Sequence, residues 1–124
     1  MNNQEVTMHD TRPTTRFIAH EKALQAASIA VELVLKVPAP LRCLADQVVR
    51  SASSVPANLA EGAGRSGKDR AYHWRIAYGS AKEVDTHLRL LIGVGAIEAH
   101  QTATTLRLFD DVRALTWRLL NPRR

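Results

Sequence analysis

Histidines, carboxylates and a cluster of serines are the groups in this chain with chemistry to offer, and their spacing decides how much of it is usable. Asp69 with His73 and Glu83 with His87 stand four residues apart, a separation that puts two side chains on one helix face and supplies half of a zinc site. No third ligand lies close to either pair in sequence, and an ion pair along a helix accounts for both. The di-metal chemistry of helical bundles requires Glu-x-x-His pairs, yet none of the six glutamates has a histidine three residues on. Ser51 and Ser53 have no evident histidine partner for nucleophilic attack. The single Cys43 can form neither an intramolecular disulfide nor a zinc cluster, and it points to a reducing compartment. Gly62-x-Gly64 with Arg65 and Lys68 ahead of a helix offers amides to an anion. Without a preceding strand or a Gly-Lys-Ser/Thr, it matches neither a P-loop nor a dinucleotide fingerprint. The expectation is a protein that is not an enzyme and needs neither metal nor cofactor.

Positive charge is what the chain has in excess. Residues 1–61 carry six basic and six acidic side chains, and residues 62–124 carry eleven and six, so the formal charge of +5 arises wholly in the second half. Arginine outnumbers lysine thirteen to four, and its planar fork suits phosphate and carboxylate. Arg65, Lys68, Arg70, Arg75, Arg107, Arg113 and Arg118 are therefore the candidate nucleic-acid contacts, with plain solubility as the competing reading of the same charges. Trp74, between Arg70 and Arg75, can stack an unpaired base or serve the core, and burial is the expected fate of its indole.

The elements that must position these residues are helices. With 45% apolar but only 5% aromatic residues, the core must be built mainly from Ala, Leu, Val and Ile. Leu24, Ala27, Val31 and Val34 recur at helical spacing between Ala19 and Lys36, and Pro38 and Pro40 end that stretch. Leu41, Leu44, Val48, Ala52, Val55 and Leu59 mark a second helix, with Pro40 admissible in its first turn. Pro56 lies inside this pattern, where a proline costs about 3 kcal/mol against alanine. A kink or break near Ala52–Pro56 is expected, with the hydroxyls of Ser51, Ser53 and Ser54 available to freed backbone groups. Three glycines between Gly62 and Gly67 make the clearest turn. A third helix, about Lys68 to Val94, carries Ala71, Trp74, Tyr78, Ala81, Val84, Leu88 and Leu91, with Ser66 or Asp69 as caps and Gly95 as its stop. Gly79-Ser80 in its middle is small enough for another backbone to approach. The fourth, Ala99 to Leu120, has Ala103, Leu106, Phe109, Val112, Thr116 and Leu119 on one side, and Asn121-Pro122 closes it.

Four one-faced helices joined by short turns alternate in direction, so the expected fold is all-α, an antiparallel up-down-up-down four-helix bundle over residues 17–121. Residues 1–16 read as a flexible tail and 122–124 as a basic C-terminal end. The tail shows no secretory signal and no stretch reaches a membrane span, so a cytoplasmic location and no membrane partner are expected. Asn58, Glu61 and Arg65, at spacings of three and four, read as a cap and ion pair fixing the turn into the third helix. Their functional alternative is a subunit interface or ligand edge.

The run from Arg50 to Arg65, with its Ser51-Ala52-Ser53-Ser54-Val55-Pro56 approach and Asn58-Leu59-Ala60-Glu61-Gly62, resembles the hallmark of the bacterial four-helix-bundle family. That family includes 23S rRNA intervening-sequence proteins and the accessory variability proteins of diversity-generating retroelements. Ile76 to Glu83, containing Gly79, resembles its second segment. The resemblance implies a ring-like homopentamer in which Pro56, Asn58, Glu61, Gly62, Gly64, Arg65 and Gly79 serve turns and interfaces. In the retroelement branch it implies a reverse transcriptase and structured RNA as partners, and it implies no catalytic residues. The expected function is that of a non-enzymatic oligomeric interaction protein, binding nucleic acid or a nucleic-acid enzyme through its basic half. The alternative is a scaffold oligomer with no RNA affinity.

Overall fold

The computed structural model describes residues 14–123, and four helices account for most of them: α1 (Thr15–Val34), α2 (Arg42–Ala63), α3 (Gly67–Gly93) and α4 (Ala99–Leu120). Cross-helix bonds reveal antiparallel order. Lys22 of α1 meets Asp111 of α4 while Ala26 meets Thr105, and Trp74 of α3 meets Leu59 of α2 while Ser80 meets Ser54. α1 and α3 each pack on both α2 and α4, giving the up-down-up-down bundle around one core. No strand occurs among the described residues, and none of the helices is long and apolar enough to cross a membrane.

Local chemistry sets the helix ends. Thr14 caps α1, its hydroxyl accepting from the Phe17 amide at 3.2 Å. Thr15 and Arg16, read from sequence as tail, therefore belong to the first helical turn; the rest of that tail, residues 1–13, lies outside the described residues, as does Arg124. α2 begins at Arg42, which leaves Pro40 in the preceding turn rather than in the helix. At the end of α3 the amide of Gly95, with φ +78°, donates to Ile92 O, and the amide of Ala96 donates to Leu91 O at 2.9 Å. This pair of bonds is a Schellman closure, which needs the left-handed conformation that glycine supplies. Glu98 and Gln101 form a capping box at the start of α4. Ser66 occupies the N-cap position of α3, but its hydroxyl makes no capping bond.

The core differs from the sequence pattern in α1 and α4. Ala19, Ala23, Ala26, Ala27, Ala30 and Val34 are the buried residues of α1, whereas Leu24 is exposed and Val31 half-buried. An alanine face lets α4 come close enough for the Thr105 hydroxyl to donate to Ala26 O at 2.8 Å. Thr102, Thr105 and Thr116 are fully buried beside Phe109 and Val112, while Ala103 faces out. Each buried threonine hydroxyl donates to a backbone carbonyl, so none carries the cost of an unpaired buried polar group.

α2 runs without interruption from Arg42 to Ala63 through Pro56, itself buried. Of the expected kink or break, an interruption of the helix does not occur. The serine hydroxyls also act elsewhere than at the carbonyl that Pro56 leaves free, since Ser51 donates to Gln47 O, Ser53 to Arg50 O, and Ser54 serves contacts to Asn58 and Ser80. Within the single chain nothing lies within 4 Å of where a Cβ on Gly79 would stand. The tight approach is at Gly62.

Candidate functional site

Antiparallel order gathers the start of α1, the end of α2, the start of α3 and the end of α4 at one end of the bundle. Trp74 anchors that end. Its indole is 4% exposed and its Nε1 donates to Leu59 O at 3.3 Å, so the base-stacking role considered for it is not open. A Cβ on Gly62 would lie 2.5 Å from the ring; glycine is what lets α2 and α3 meet there. Arg70 donates through Nε to Gly62 O at 3.1 Å and through a terminal nitrogen to Ala63 O at 3.4 Å. It thereby satisfies the carbonyls at the C-terminus of α2, where a cation is favoured.

The guanidiniums of Arg16 and Arg70 each lie 5.5 Å from the centre of the Trp74 ring. Together with Arg118 they line a cleft of about 410 Å³. None of the three is ion-paired to a carboxylate among the described residues. Three guanidiniums without a carboxylate partner among the described residues thus line one concavity, and arginine forks are the groups whose geometry matches the oxygens of an anion such as phosphate.

A second cleft, of about 460 Å³, runs between α3 and the end of α4 and is lined by Arg75, Tyr78, Lys82, Trp117 and Asn121. Trp117 is 54% exposed, and Lys82 Nζ lies 5.8 Å from the centre of the Tyr78 ring. Arg75 and Lys82 form no ion pair among the described residues. Trp117 and Arg118 are successive residues of α4 that line different clefts, so the two are neighbours across one helix.

The structure divides the sequence candidates. Arg70 and Arg118 line the first cleft and Arg75 the second; Lys68 and Arg107 are exposed and line neither. Arg65 is held by Glu61 at 2.8 Å and by Asp69 at 4.0 Å. Arg113 pairs with Asp110 and with Asp85, a carboxylate it shares with Arg89. The Arg89 guanidinium is held above its ordinary pKa, first by its hydrogen bond to Asp85 and then by that carboxylate's charge. Sequence reasoning missed Arg16, Lys82 and Trp117. Thr14 as a cap was the available signal for Arg16, and an aromatic just off the apolar stripe of α4 was the signal for Trp117.

Asn58, Glu61 and Arg65 do not act as one unit. Glu61 and Arg65 form an exposed pair across the turn, whereas Asn58 joins α2 to α3: its amide donates to Ser54 O and Ser54 Oγ at 3.0 and 3.1 Å, and its Oδ1 lies 2.9 Å from His73 Nδ1. Ser80 donates to the same Ser54 hydroxyl. The expected Asp69–His73 pair is thus replaced by Asn58–His73, and Glu83–His87 is not formed; His87 Nδ1 is buried with no hydrogen-bond partner among the described residues. These environments order the mutational effects. Asn58→Ala should cost about 1–2 kcal/mol because partly buried partners are stranded, and Glu61→Ala no more than about 0.5 kcal/mol because the pair is half in water. Urea unfolding of the two variants measures the order, and equal losses would contradict it.

Among the described residues no three His, Cys, Asp or Glu side chains are grouped to hold a metal ion. Fold and site together define an all-α bundle protein whose distinctive surface is basic and aromatic. The chain belongs to the 23S rRNA-intervening sequence protein family, whose model matches residues 16–118. It is similar in fold to a protein of unknown function from the S23 ribosomal protein family of Bacteroides thetaiotaomicron VPI-5482, with a TM-score of 0.79 and 22% identity over 87% of this chain and 99% of that one. Neither description states an enzymatic activity. Comparison with curated proteins yields no match.

Proposed function

We propose that this protein is a non-enzymatic, self-associating interaction protein that binds nucleic acid through the basic end of its bundle. The observation that carries this reading is the convergence of Arg16, Arg70 and Arg118 on one cleft with no carboxylate among the described residues to neutralise them. Phosphates are the abundant ligands that such a cleft suits, and repetition of a modest patch around a homo-oligomer adds avidity. Support for self-association comes from the opposite flank. Leu24, Ala27 and Val31 of α1, Leu35 at its C-cap and Pro56 of α2 line an open apolar groove, and Leu24 and Leu35 are exposed in the single chain. A ring of five subunits is the assembly that the family resemblance implies. The same groove also favours the scaffold reading, in which the subunits assemble without nucleic acid.

A salt series with mixed-sequence RNA separates the two, with sedimentation of the same sample reading the assembly. Affinity should fall linearly on logarithmic axes as salt rises, and Arg16→Gln with Arg118→Gln should weaken binding about tenfold and lower the slope by about two. These positions are chosen because Arg70 also caps α2. Assemblies that bind no RNA even at low salt would leave the scaffold reading; a stable 13.7 kDa monomer would remove self-association.

A further inference from the structure

We infer that the cleft between α3 and the end of α4 holds an unpaired nucleobase stacked on Trp117, so that this protein takes single-stranded nucleic acid in preference to duplex. The inference rests on the nucleic-acid reading above and adds the form of the ligand. The exposed part of an indole contributes nothing to the stability of a bundle, since the hydrophobic gain comes only from area removed from water. Yet Trp117 is 54% exposed on the wall of a concavity rather than on a convex face. The cleft's other walls suit a base and its backbone. Tyr78 supplies a second ring, Asn121 an amide that gives one N–H to Trp117 O at 3.0 Å and has its other N–H and its oxygen beside the indole, and Arg75 and Lys82 positive charge without carboxylate partners among the described residues. Gly79 matters here as an absence. It lines the cleft, and no atom stands within 4 Å of its missing Cβ, so a flat ligand can approach the α3 backbone where any other residue would intrude.

The arrangement of the two clefts gives the mode of binding. Trp117 faces one and the next residue, Arg118, faces the other, so a strand crossing the end of α4 places a base on the indole and a phosphate among Arg16, Arg70 and Arg118. Bases in a duplex are stacked on each other and cannot enter; unpaired ones present a free face, and stacking on an aromatic side chain is tolerant of sequence. RNA and DNA share this chemistry, and the cleft shows no feature selecting the ribose hydroxyl.

The test compares wild type, Trp117→Ala and Trp117→Phe in full-length chain, titrated against fluorescein-labelled mixed-sequence 12-mers as single-stranded RNA, single-stranded DNA and duplex of each. Trp117→Ala should weaken single-strand binding about tenfold or more while duplex binding changes less than about twofold; Trp117→Phe should retain most of the single-strand affinity. Gly79→Val should reproduce the Trp117→Ala loss by filling the cleft. Equal losses on single strand and duplex, no loss on either, or a smaller assembly on sedimentation with unaltered affinity would overturn the stacking site and leave the arginine cleft standing. If wild type binds none of the four probes at low salt, the nucleic-acid reading fails and this inference fails with it. Affinity for RNA alone would identify RNA as the ligand, with the stack intact.

Discussion

Phe109→Ala lowers the stability of the bundle by about 3–5 kcal/mol, the largest effect expected of any single truncation in this chain. Phe109 is the largest of the fully buried side chains, and it belongs to a core otherwise built mostly from Ala, Val and Leu, with buried threonines on its own helix. Small residues on surrounding helices have no atoms to move into the space that a phenyl ring leaves, so the cavity stays open and its lining loses contacts. Against a total of about 5–15 kcal/mol for a domain, that loss approaches unfolding. It should appear as a fall of more than about 10 °C in Tm and an earlier urea midpoint. A loss under about 1.5 kcal/mol would mean that the helices close on the void.

The second large effect is Gly62→Ala, which should destabilise by about 2 kcal/mol, while the same change at Gly79 should stabilise by up to about 1 kcal/mol. Both glycines lie inside helices, where alanine is intrinsically better by about 1 kcal/mol. At Gly62 the new Cβ would stand 2.5 Å from Trp74 Cδ1 and Nε1, with Arg70 O at 3.1 Å behind. That indole is buried and hydrogen-bonded to Leu59 O, so α2 and α3 must separate to relieve the clash. At Gly79 the new methyl meets no atom within 4 Å, and only the propensity gain remains. Parallel thermal melts of the two variants read the contrast; the same sign at both positions would show that the α2–α3 approach is not set by Gly62.

Much of the site was within reach of sequence reasoning, but unevenly. Charge counting located the basic half, and Arg70, Arg75 and Arg118 lie at clefts there; Arg65 and Arg113 carry the same charge and are neutralised by carboxylates brought near by the turn and by α3. Trp74 and Trp117 are indistinguishable as residue types with adjacent arginines. One is core and the other surface because Trp74 faces the glycine notch in α2 while Trp117 falls one position past the buried Thr116.

The number and order of the helices, and their ends to within a few residues, follow from the chain alone, because caps, prolines, glycine stops and apolar periodicity act over a few residues. α4 spans Ala99–Leu120 as its pattern requires, and Gly95 closes the turn before it. Tertiary structure decided which face of α1 turns inward. Its apolar residues surround the helix, so leucine and valine positions and alanine positions both satisfy helical spacing; α4 can approach closely only over the alanines, which bury completely and admit the Thr105–Ala26 bond. The same packing carried α2 through Pro56 unbroken, as its propensity cost of about 3 kcal/mol is a sum that buried neighbours along the whole helix can exceed. Local signals thus settle where helices start and stop, and close packing between helices settles which side of each is inside.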